Sequence, residues 1–455
     1  MSRVAGSFRD PSGFVFTRDG QIYRQVNHRY RDDYHILKTS GLYDCLVEQG
    51  LLVPHEEVAD ISGTVDCFLV IRPAPIPFVS YPYEWCFSQL KDAALTMLRI
   101  QQIAIQYNMT LKDSSAYNIQ FYRGRPVLID TLSFEIYREG RPWEAYRQFC
   151  EHFYVPLLLM AHRDIRLARL LGVYLDGIPL DLGRSLLPFR SMLQVAPLLH
   201  IYFHARHQKN FADVKTGVPS GAVSRTGILG IIDSLQSGIN ALTWNPKGTQ
   251  WANYYEDTNY SNRAVEEKKR FLSSHLDRVR PKTVWDFGAN NGRFSRLASD
   301  RNIYTVAFDI DPAAVEQDYL ECKQQSSAFL LPLLMDMTNP SSGVGWGNNE
   351  RLSVFERGPA DMALSLALIH HLALTNNVPL SMLAEFHSRL CDDLIIEFIP
   401  KHDSQARRLL VSREDIFSDY SQESFELEFL KYFSIIDVKR LSDSERTLYC
   451  MKRLR

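Results

Sequence analysis

Three acidic residues and two glycines in the second half of the chain have the spacing of a site for a nucleotide-like ligand. Asp286 ends a short apolar run, and Gly288 and Gly292 stand in the loop that follows, before a helix start. Glycine has no Cβ, so this loop can bring its backbone close to a ligand. Asp309 and Asp336 end the next two apolar runs. An acid about 20 residues beyond such a loop can accept hydrogen bonds from ribose hydroxyls.

The elements that would position these residues alternate between strand and helix after Lys282, which is typical of a parallel sheet covered on both faces. Ligands bind at the carboxyl ends of the strands in open sheets of this kind, so the acids are expected to lie together. The predicted strands are 283–286, 304–309, 329–335, 361–367 and 394–399, with a terminal hairpin of 433–440 and 447–451.

Two ligand classes fit a glycine turn followed by an acid. A dinucleotide site has the pattern G-x-G-x-x-G, whose second glycine lets the pyrophosphate approach. This loop reads Gly288-Ala-Asn-Asn-Gly292, and Asn290 occupies the position of that second glycine. The sequence therefore favours another nucleotide-like ligand over NAD.

The pattern Asp286-x-Gly288-x-x-x-Gly292, with Asp309 and Asp336, resembles the class I S-adenosylmethionine-dependent methyltransferases. The resemblance covers roughly residues 250 to 455 and implies a Rossmann-like, seven-stranded α/β sheet with a reversed last strand. It also implies that the loop from Gly288 through Asn290 to Gly292 passes the methionine part. Asp309 would then hold the ribose, and Asp336 would meet the adenine amino group.

A narrower resemblance is to a bacterial group that includes the host-specific nodulation methyltransferases of rhizobia. It is carried by three segments, which are Trp285-Asp-Phe-Gly-Ala-Asn-Asn-Gly292, Ala367-Leu-Ile-His-His-Leu372 and Glu397-Phe-Ile-Pro-Lys401.

Methyl transfer from a sulfonium requires alignment of the acceptor and removal of any proton that its nucleophile carries. His370 and His371 are candidate bases because imidazole titrates near neutral pH. The alternative for either histidine is helix capping or packing. Glu397, at the end of the next strand, is a further catalytic candidate. Tyr254, Tyr255 and Tyr260 could fold over the cofactor or pack in the core.

The first half of the chain carries a second constellation. Asp113 and Asn118 are five residues apart, and Asp130 follows twelve residues later at the end of an apolar strand. This is the spacing of a kinase catalytic loop, in which an acid takes the acceptor proton while an asparagine and a second acid bind magnesium. The region is similar to protein-kinase-like α+β folds and so predicts a site for Mg-ATP.

The constellation departs from kinases at three places. Thr131-Leu132 follows Asp130 where kinases have Phe-Gly, no glycine-rich phosphate loop is visible around 13–20, and Arg24 is the nearest cation to the expected strand lysine. Arginine does not reproduce a lysine point charge. The alternative is a strand, a turn and a strand with solvated acids.

Residue patterns also predict the surrounding elements of the first half. Alternating residues from 13 to 26 around Asp19-Gly20 predict a hairpin, 32–49 is loosely helical, and 84–107 carries the apolar stripe of a helix. Residues 142–205 are predicted to be mostly helical. Residues 207–227 form a turn-rich connector, and the main domain boundary is expected between this connector and about residue 245. The predicted domains are 1–235, which is kinase-like with a helical second lobe, and 245–455, a methyltransferase domain.

Composition narrows the function classes. The 455 residues suffice for two domains, and a net charge of −2 with a pI near 6.7 gives no general attraction to nucleic acid. The seven cysteines are scattered without a C-x-x-C pair, so neither a disulfide framework nor a structural zinc site is expected. Without a signal peptide or an apolar run long enough to span a bilayer, the protein is expected to be cytoplasmic.

The sequence therefore predicts transfer of a methyl group from S-adenosylmethionine to an unidentified acceptor, such as a glycan or a small molecule. The N-terminal domain would bind or phosphorylate that acceptor. The alternative is a non-catalytic sensor or scaffold that binds the cofactor. The oligomeric state is left open.

Overall fold

The computed structural model describes residues 2–59, 64–203, 223–246, 261–411 and 416–454, and it divides into two compact units. The first contains Met1–Asn245 together with Val344–Arg351, and the second contains Pro246–Gly343 and Leu352–Arg455. The domain boundaries expected from the sequence did not include the short segment that the first unit takes from the second half. Tyr254, Tyr255, Tyr260 and most of the predicted connector lie outside the described residues.

The first unit begins with an antiparallel sheet. Its strands have the order β1-β2-β3-β5-β4 within the described residues. Asp19 and Gly20 both have positive φ, 52° and 75°, as a two-residue hairpin turn requires. The strands are β1 (Ser2–Arg3), β2 (Gly13–Arg18), β3 (Gln21–Asn27), β4 (His55–Val58) and β5 (Cys67–Pro73).

Helices follow the third and fifth strands. The segment predicted as loosely helical forms two helices, Arg31–Thr39 and Leu42–Glu48, which separate at Gly41, where φ is 85°. The long helix runs over Phe87–Gln106 and buries most of its apolar stripe. Two small antiparallel pairs then form, β6 with β9 and β7 with β8, from β6 (Met109–Leu111), β7 (Ile119–Tyr122), β8 (Arg125–Leu128) and β9 (Phe134–Ile136).

Most of the described residues from 142 to 203 are helical, as predicted for 142–205. The main helices of the first unit after β9 are Tyr146–Phe149, Cys150–Tyr154, Val155–His162, Ile165–Gly172, Leu180–Leu186 and Arg225–Ala241.

The second unit is built on one sheet, whose described strands have the order β12-β11-β10-β13-β14-β16-β15. The last strand, β16, is antiparallel to both of its neighbours, and the pairs from β12 to β14 are parallel. The predicted seven-stranded sheet with a reversed last strand is therefore present. The strands are β10 (Thr283–Phe287), β11 (Tyr304–Asp309), β12 (Leu330–Leu334), β13 (Ala360–Ser365), β14 (Cys391–Phe398), β15 (Phe433–Arg440) and β16 (Thr447–Arg453).

Helices cover both faces of this sheet because successive strand residues point to opposite sides. Val284 packs in the core with Leu272 and Leu276 of one helix. Phe287, on the other side, lies 6.5 Å from Phe386 between ring centroids. The described helices of the unit are Asn262–Val279, Ser295–Ser299, Pro312–Gln325, Val354–Arg357, His371–Thr375, Leu380–Leu390, Ser404–Leu410 and Gln422–Phe429. In neither unit is any described helix apolar over enough residues to cross a bilayer.

A buried ion pair joins the helix Asn262–Val279 to the sheet. Lys268 Nζ donates to Glu397 Oε2 at 2.7 Å, and the two side chains are only 2% and 0% exposed. Burial lowers the pKa of Lys268, and the charge of Glu397 opposes that shift. Removing one member of such a pair leaves the other charge buried without its main compensation.

We expect Glu397→Ala to lower the free energy of unfolding by about 3–5 kcal/mol, measured by urea unfolding of the whole chain. Glu266→Ala is the matched control, because Glu266 pairs with Lys269 on the same helix and is 53% exposed. That control is expected to cost less than about 1 kcal/mol. Equal losses in the free energy of unfolding would show that the buried pair stabilises the fold no more than the exposed pair does.

Candidate functional site

The loop after β10 is tied to the end of β11. The amides of Gly288 and Ala289 donate to the carbonyl of Phe308 at 2.9 and 3.0 Å, and Asn290 N donates to Asp309 Oδ2 at 2.7 Å. Gly288 and Asn290 have φ of 74° and 53°, a region that glycine and asparagine adopt with little strain. The loop therefore has a defined path across the carboxyl ends of the two strands.

A cavity of about 310 Å³ opens at this edge of the sheet. Its walls include apolar side chains on two sides, among them Ile310, Met337 and Leu366. The structure brings five of the six predicted cofactor residues and one predicted base to this cavity, namely Asp286, Gly288, Asn290, Asp309, Asp336 and His371.

Gly292, the sixth predicted cofactor residue, does not line the cavity. Its φ is 73°, and a Cβ built there would lie 2.4–2.6 Å from the carboxyl atoms of Asp318. Asp318 belongs to the helix Pro312–Gln325 and is itself paired with Arg296 at 2.7 Å. The absence of a side chain at 292 thus allows this helix to pack closely against the loop, which sequence spacing alone does not distinguish from ligand approach.

Asp309 is held with both carboxylate oxygens engaged. Oδ2 accepts from Asn290 N at 2.7 Å and Oδ1 accepts from Asp311 N at 2.8 Å. Burial raises its pKa to about 6, and these backbone donors oppose the shift. A carboxylate oxygen has room for more than one hydrogen bond, so a hydroxyl group in the cavity can also donate to it.

Asp286 is the most deeply placed acid of the cavity, at 1% exposure. Its Oδ2 accepts from Ser295 Oγ at 2.6 Å. Burial raises its pKa to about 7, while the Ser295 hydrogen bond and the nearby charge of Lys268 lower it. A cationic ligand group next to Asp286 would favour the ionised form of this carboxyl.

Asp336 lies half-buried beyond the end of β12. Its Oδ1 accepts from the amide and the hydroxyl of Thr338, at 2.9 and 2.6 Å. The neighbouring Ile310 is 46% exposed, which leaves an apolar surface facing open space beside a polar acceptor. A flat heterocycle with an exocyclic amino group matches this combination.

The two adjacent histidines are placed differently. His371 lines the cavity, and burial lowers its pKa to about 4. His370 is 1% exposed and does not line the cavity, and its Nδ1 has no hydrogen-bond partner among the described residues. Burial holds the pKa of His370 well below its usual range. Both rings are therefore neutral at physiological pH, and only His371 borders the cavity.

Two buried cations near this site were missed by the sequence interpretation. Lys268 lines the cavity beside Asp286, and Arg446 donates to both oxygens of Asp403 at 2.8 and 3.1 Å. The third predicted catalytic residue, Glu397, accepts from Lys268 and is not among the cavity-lining residues. The sequence holds one weak sign that Lys268 is buried. It lies on the apolar stripe of its helix, four residues from both Ala264 and Leu272.

In the first unit, Asp113, Asn118 and Asp130 are called here the acidic cluster. Arg24 on β3 forms an ion pair with the last of them. Its Nη1 lies 2.9 Å from Asp130 Oδ1, and burial raises the pKa of Asp130 while Arg24 lowers it and the charge of Asp113 raises it. Asp113 Oδ1 accepts from Ser115 N at 2.9 Å, and Asn118 Nδ2 lies 3.4 Å from Ser133 Oγ. Among the described residues no group of three or more His, Cys, Asp or Glu side chains is arranged to hold a metal ion.

Comparison with known proteins finds a relative that matches almost the whole chain. No protein-family model matches. Nodulation protein NoeA of Rhizobium meliloti is 34% identical over 461 residues, which cover 99% of this chain and 96% of that protein. The chain belongs to the NoeA family.

Three solved structures are similar to about half of the NoeA-family chain. Magnesium protoporphyrin IX methyltransferase from Synechocystis, solved with bound SAH, has 15% identity and a TM-score of 0.32, covering 45% of this chain and 93% of that one. The bifunctional kinase-methyltransferase WbdD has 15% identity and a TM-score of 0.32, covering 46% and 43%. The N-methyltransferase NodS from Bradyrhizobium japonicum has 10% identity and a TM-score of 0.31, covering 43% and 99%.

The strand order and the cavity agree with the resemblance found in the sequence. The reversed β16, and the hydrogen bonds from the loop after β10 to the end of β11, give the second unit the seven-stranded α/β architecture that the class I methyltransferase fold predicts. The recognition of this fold from the pattern of Asp286, Gly288 and Asp309 is confirmed.

We expect Asp309→Ala to weaken the binding of S-adenosylhomocysteine by roughly 10- to 100-fold, because a charged hydrogen bond contributes about 1.5–3 kcal/mol. Isothermal titration calorimetry measures this directly. The exposed Asp300→Ala is the control and is expected to bind as the wild type does. Unchanged affinity in Asp309→Ala would contradict the assignment of Asp309 to the ligand.

Proposed function

We propose that this NoeA-family chain transfers the methyl group of S-adenosylmethionine to an acceptor that enters the cavity beside His371. The observation that carries the proposal is the meeting of Asp286, Asp309 and Asp336 in one cavity at the ends of neighbouring strands. A sensor or scaffold that binds the cofactor without turnover is the alternative.

The residues present fit each part of the cofactor. Asp309 is supported by two backbone donors and can accept from the ribose hydroxyls. Asp336 offers an acceptor next to the apolar surfaces of Ile310 and Met337, which suits the adenine ring. Asp286 and Lys268 present opposite charges on the side of the cavity left for the amino-acid group, which itself carries an ammonium and a carboxylate.

The sulfonium of S-adenosylmethionine supplies an activated methyl group, so the remaining chemical task is alignment and proton removal. His371 is the candidate for that second role, because its neutral ring borders the cavity. Its ring nitrogen would accept the proton that the acceptor hydroxyl or amine loses. The acceptor would form its bond to the methyl carbon as the carbon–sulfur bond breaks, and S-adenosylhomocysteine would leave. His370 lies behind it, and we infer that it supports the position of the His371 ring, whose centroid is 4.0 Å away.

We further propose that the first unit holds the acceptor, a glycan end or a small molecule, or phosphorylates it. One loop and the end of one strand carry Asp113, Asn118 and Asp130. Arg24 provides a positive charge beside Asp130, where a kinase has a lysine. Asn118 and Asp130 carry oxygen atoms of the kind that Mg²⁺ binds, and Asp113 could take a proton from a hydroxyl group.

Turnover of His371→Ala tests methyl transfer. The assay follows release of S-adenosylhomocysteine while the protein is incubated with S-adenosylmethionine and fractions of bacterial glycans and metabolites. We expect the variant to bind S-adenosylhomocysteine within about threefold of the wild type but to lose roughly 10²–10⁴-fold in kcat.

His402→Ala serves as the control for this assay, since His402 is 58% exposed, and we expect it to retain the wild-type rate. Cofactor binding by the wild type without turnover on any fraction would instead favour the sensor. Equal rates for His371→Ala and the wild type would remove His371 from the chemistry while leaving methyl transfer intact.

Binding of Mg-ATP tests the role of the first unit. We expect the wild type to bind Mg-ATP and Asp130→Asn to bind it at least about tenfold more weakly, because the variant lacks the negative charge that would face the metal. Asp181→Asn, an exposed substitution in the same unit, is the control. Absence of binding to the wild type, or equal binding by wild type and Asp130→Asn, would contradict the nucleotide assignment.

A further inference from the structure

A hairpin from the second half of the sequence is part of the first unit. Residues Val344–Arg351, called here the latch hairpin, belong to that unit although the residues before and after them belong to the other. The hairpin is closed by hydrogen bonds in both directions between Val344 and Arg351, each 3.1 Å long. Trp346 at its tip is 78% exposed, so burial of the tip does not hold the hairpin in place.

The latch hairpin contacts residues 4–12, the segment between β1 and β2. This segment is called here the arm. Arg9 donates to Glu350 Oε1 from Nε at 3.1 Å and from Nη2 at 2.9 Å. The Glu350 side chain is only 2% exposed. Gly6 approaches the carbonyl of Glu350 so closely that a Cβ there would lie 2.5 Å from the oxygen. A forked, charge-assisted contact of this kind fixes both position and orientation.

The same hairpin contacts the loop that carries the acidic cluster. The Arg351 guanidinium lies 4.2 Å from the ring centroid of Tyr117. Tyr117 stands in that loop, immediately before Asn118, and is 7% exposed. A guanidinium over an aromatic ring is attractive, and more so when the pair is partly removed from water. The hairpin thus bridges the arm and the cluster loop.

The far end of the arm contacts two cations that adjoin the cluster, Arg24 and Lys112. Arg24 donates to Asp10 Oδ2 at 2.7 Å while its other terminal nitrogen pairs with Asp130 at 2.9 Å. Lys112 Nζ donates to Ser12 Oγ at 2.8 Å, and Lys112 directly precedes Asp113. The arm is therefore held through Asp10 and Ser12 by the cations beside the cluster, and through Arg9 by the latch hairpin.

We propose that the arm is a lid over Asp113, Asn118 and Asp130, and that the latch hairpin keeps it closed through the Arg9–Glu350 pair. An anionic ligand that reaches the cluster must displace the arm or compete with Glu350 for Arg9. This device is separate from methyl transfer and does not depend on it.

Amide hydrogen exchange of the full chain, followed by mass spectrometry without any ligand, tests the latch. We expect peptides covering residues 4–12 to exchange about tenfold faster in Glu350→Ala and in Arg9→Ala than in the wild type. The double variant is expected to exchange no faster than either single variant, because both substitutions remove the same contact.

Trp346→Ala is the matched control within the hairpin and is expected to leave the arm at the wild-type rate. Peptides from the helix Phe87–Gln106 report whether the unit stays folded, and they are expected to be unchanged in every variant. An unchanged arm in Glu350→Ala, equal acceleration in Trp346→Ala, or uniform acceleration across the unit would each overturn the latch. None of these results bears on cofactor binding, so the latch and the proposed methyl transfer can fail independently.

Discussion

The cavity at the sheet edge of the second unit depends on the hydrogen bonds by which the loop after β10 is attached to the end of β11. The amides of Gly288 and Ala289 share the Phe308 carbonyl, and Asn290 N is held by Asp309. One carboxylate therefore both positions the loop and faces the cavity. The hydrogen bonds of the loop go to a neighbouring strand. The register of the sheet therefore sets the distances between the acids at the cavity wall.

Many strands of this unit could be predicted because short segments of the sequence show where each strand begins and ends. Buried parallel strands appear as apolar runs, and the residue that ends each run must lie at the ligand edge of the sheet. The predicted run 304–309 is β11 itself, and 433–440 is β15. The role of Gly292 could not be predicted from the local sequence. Its missing Cβ makes room for Asp318, which lies on the helix Pro312–Gln325. Lys268 was missed for a related reason: a lysine on an apolar stripe reveals its partner only when Glu397, far along the chain, is brought against it.

The first unit shows the same division between local and distant information. The Asp19-Gly20 turn and the helix near 84–107 follow from residue types. The meeting of Arg24 with Asp130 does not, because over a hundred residues separate them and no local pattern records the contact. Arginine can pair with two acids at once through its planar fork, whereas a lysine offers a single point charge. The bridge from Asp10 through Arg24 to Asp130 uses that property.

The hairpin at Val344–Arg351 has a consequence for the order in which the protein is made. Domains generally fold as they leave the ribosome, the N-terminal one first. Here the contacts of Arg9 with Glu350 and of Tyr117 with Arg351 cannot form until residue 351 has been synthesised, which is after β10, β11 and β12 have been synthesised. The two halves are therefore not successive folding tasks: completion of the first waits on translation well into the second, and a gene fragment ending at residue 245 encodes an unfinished unit.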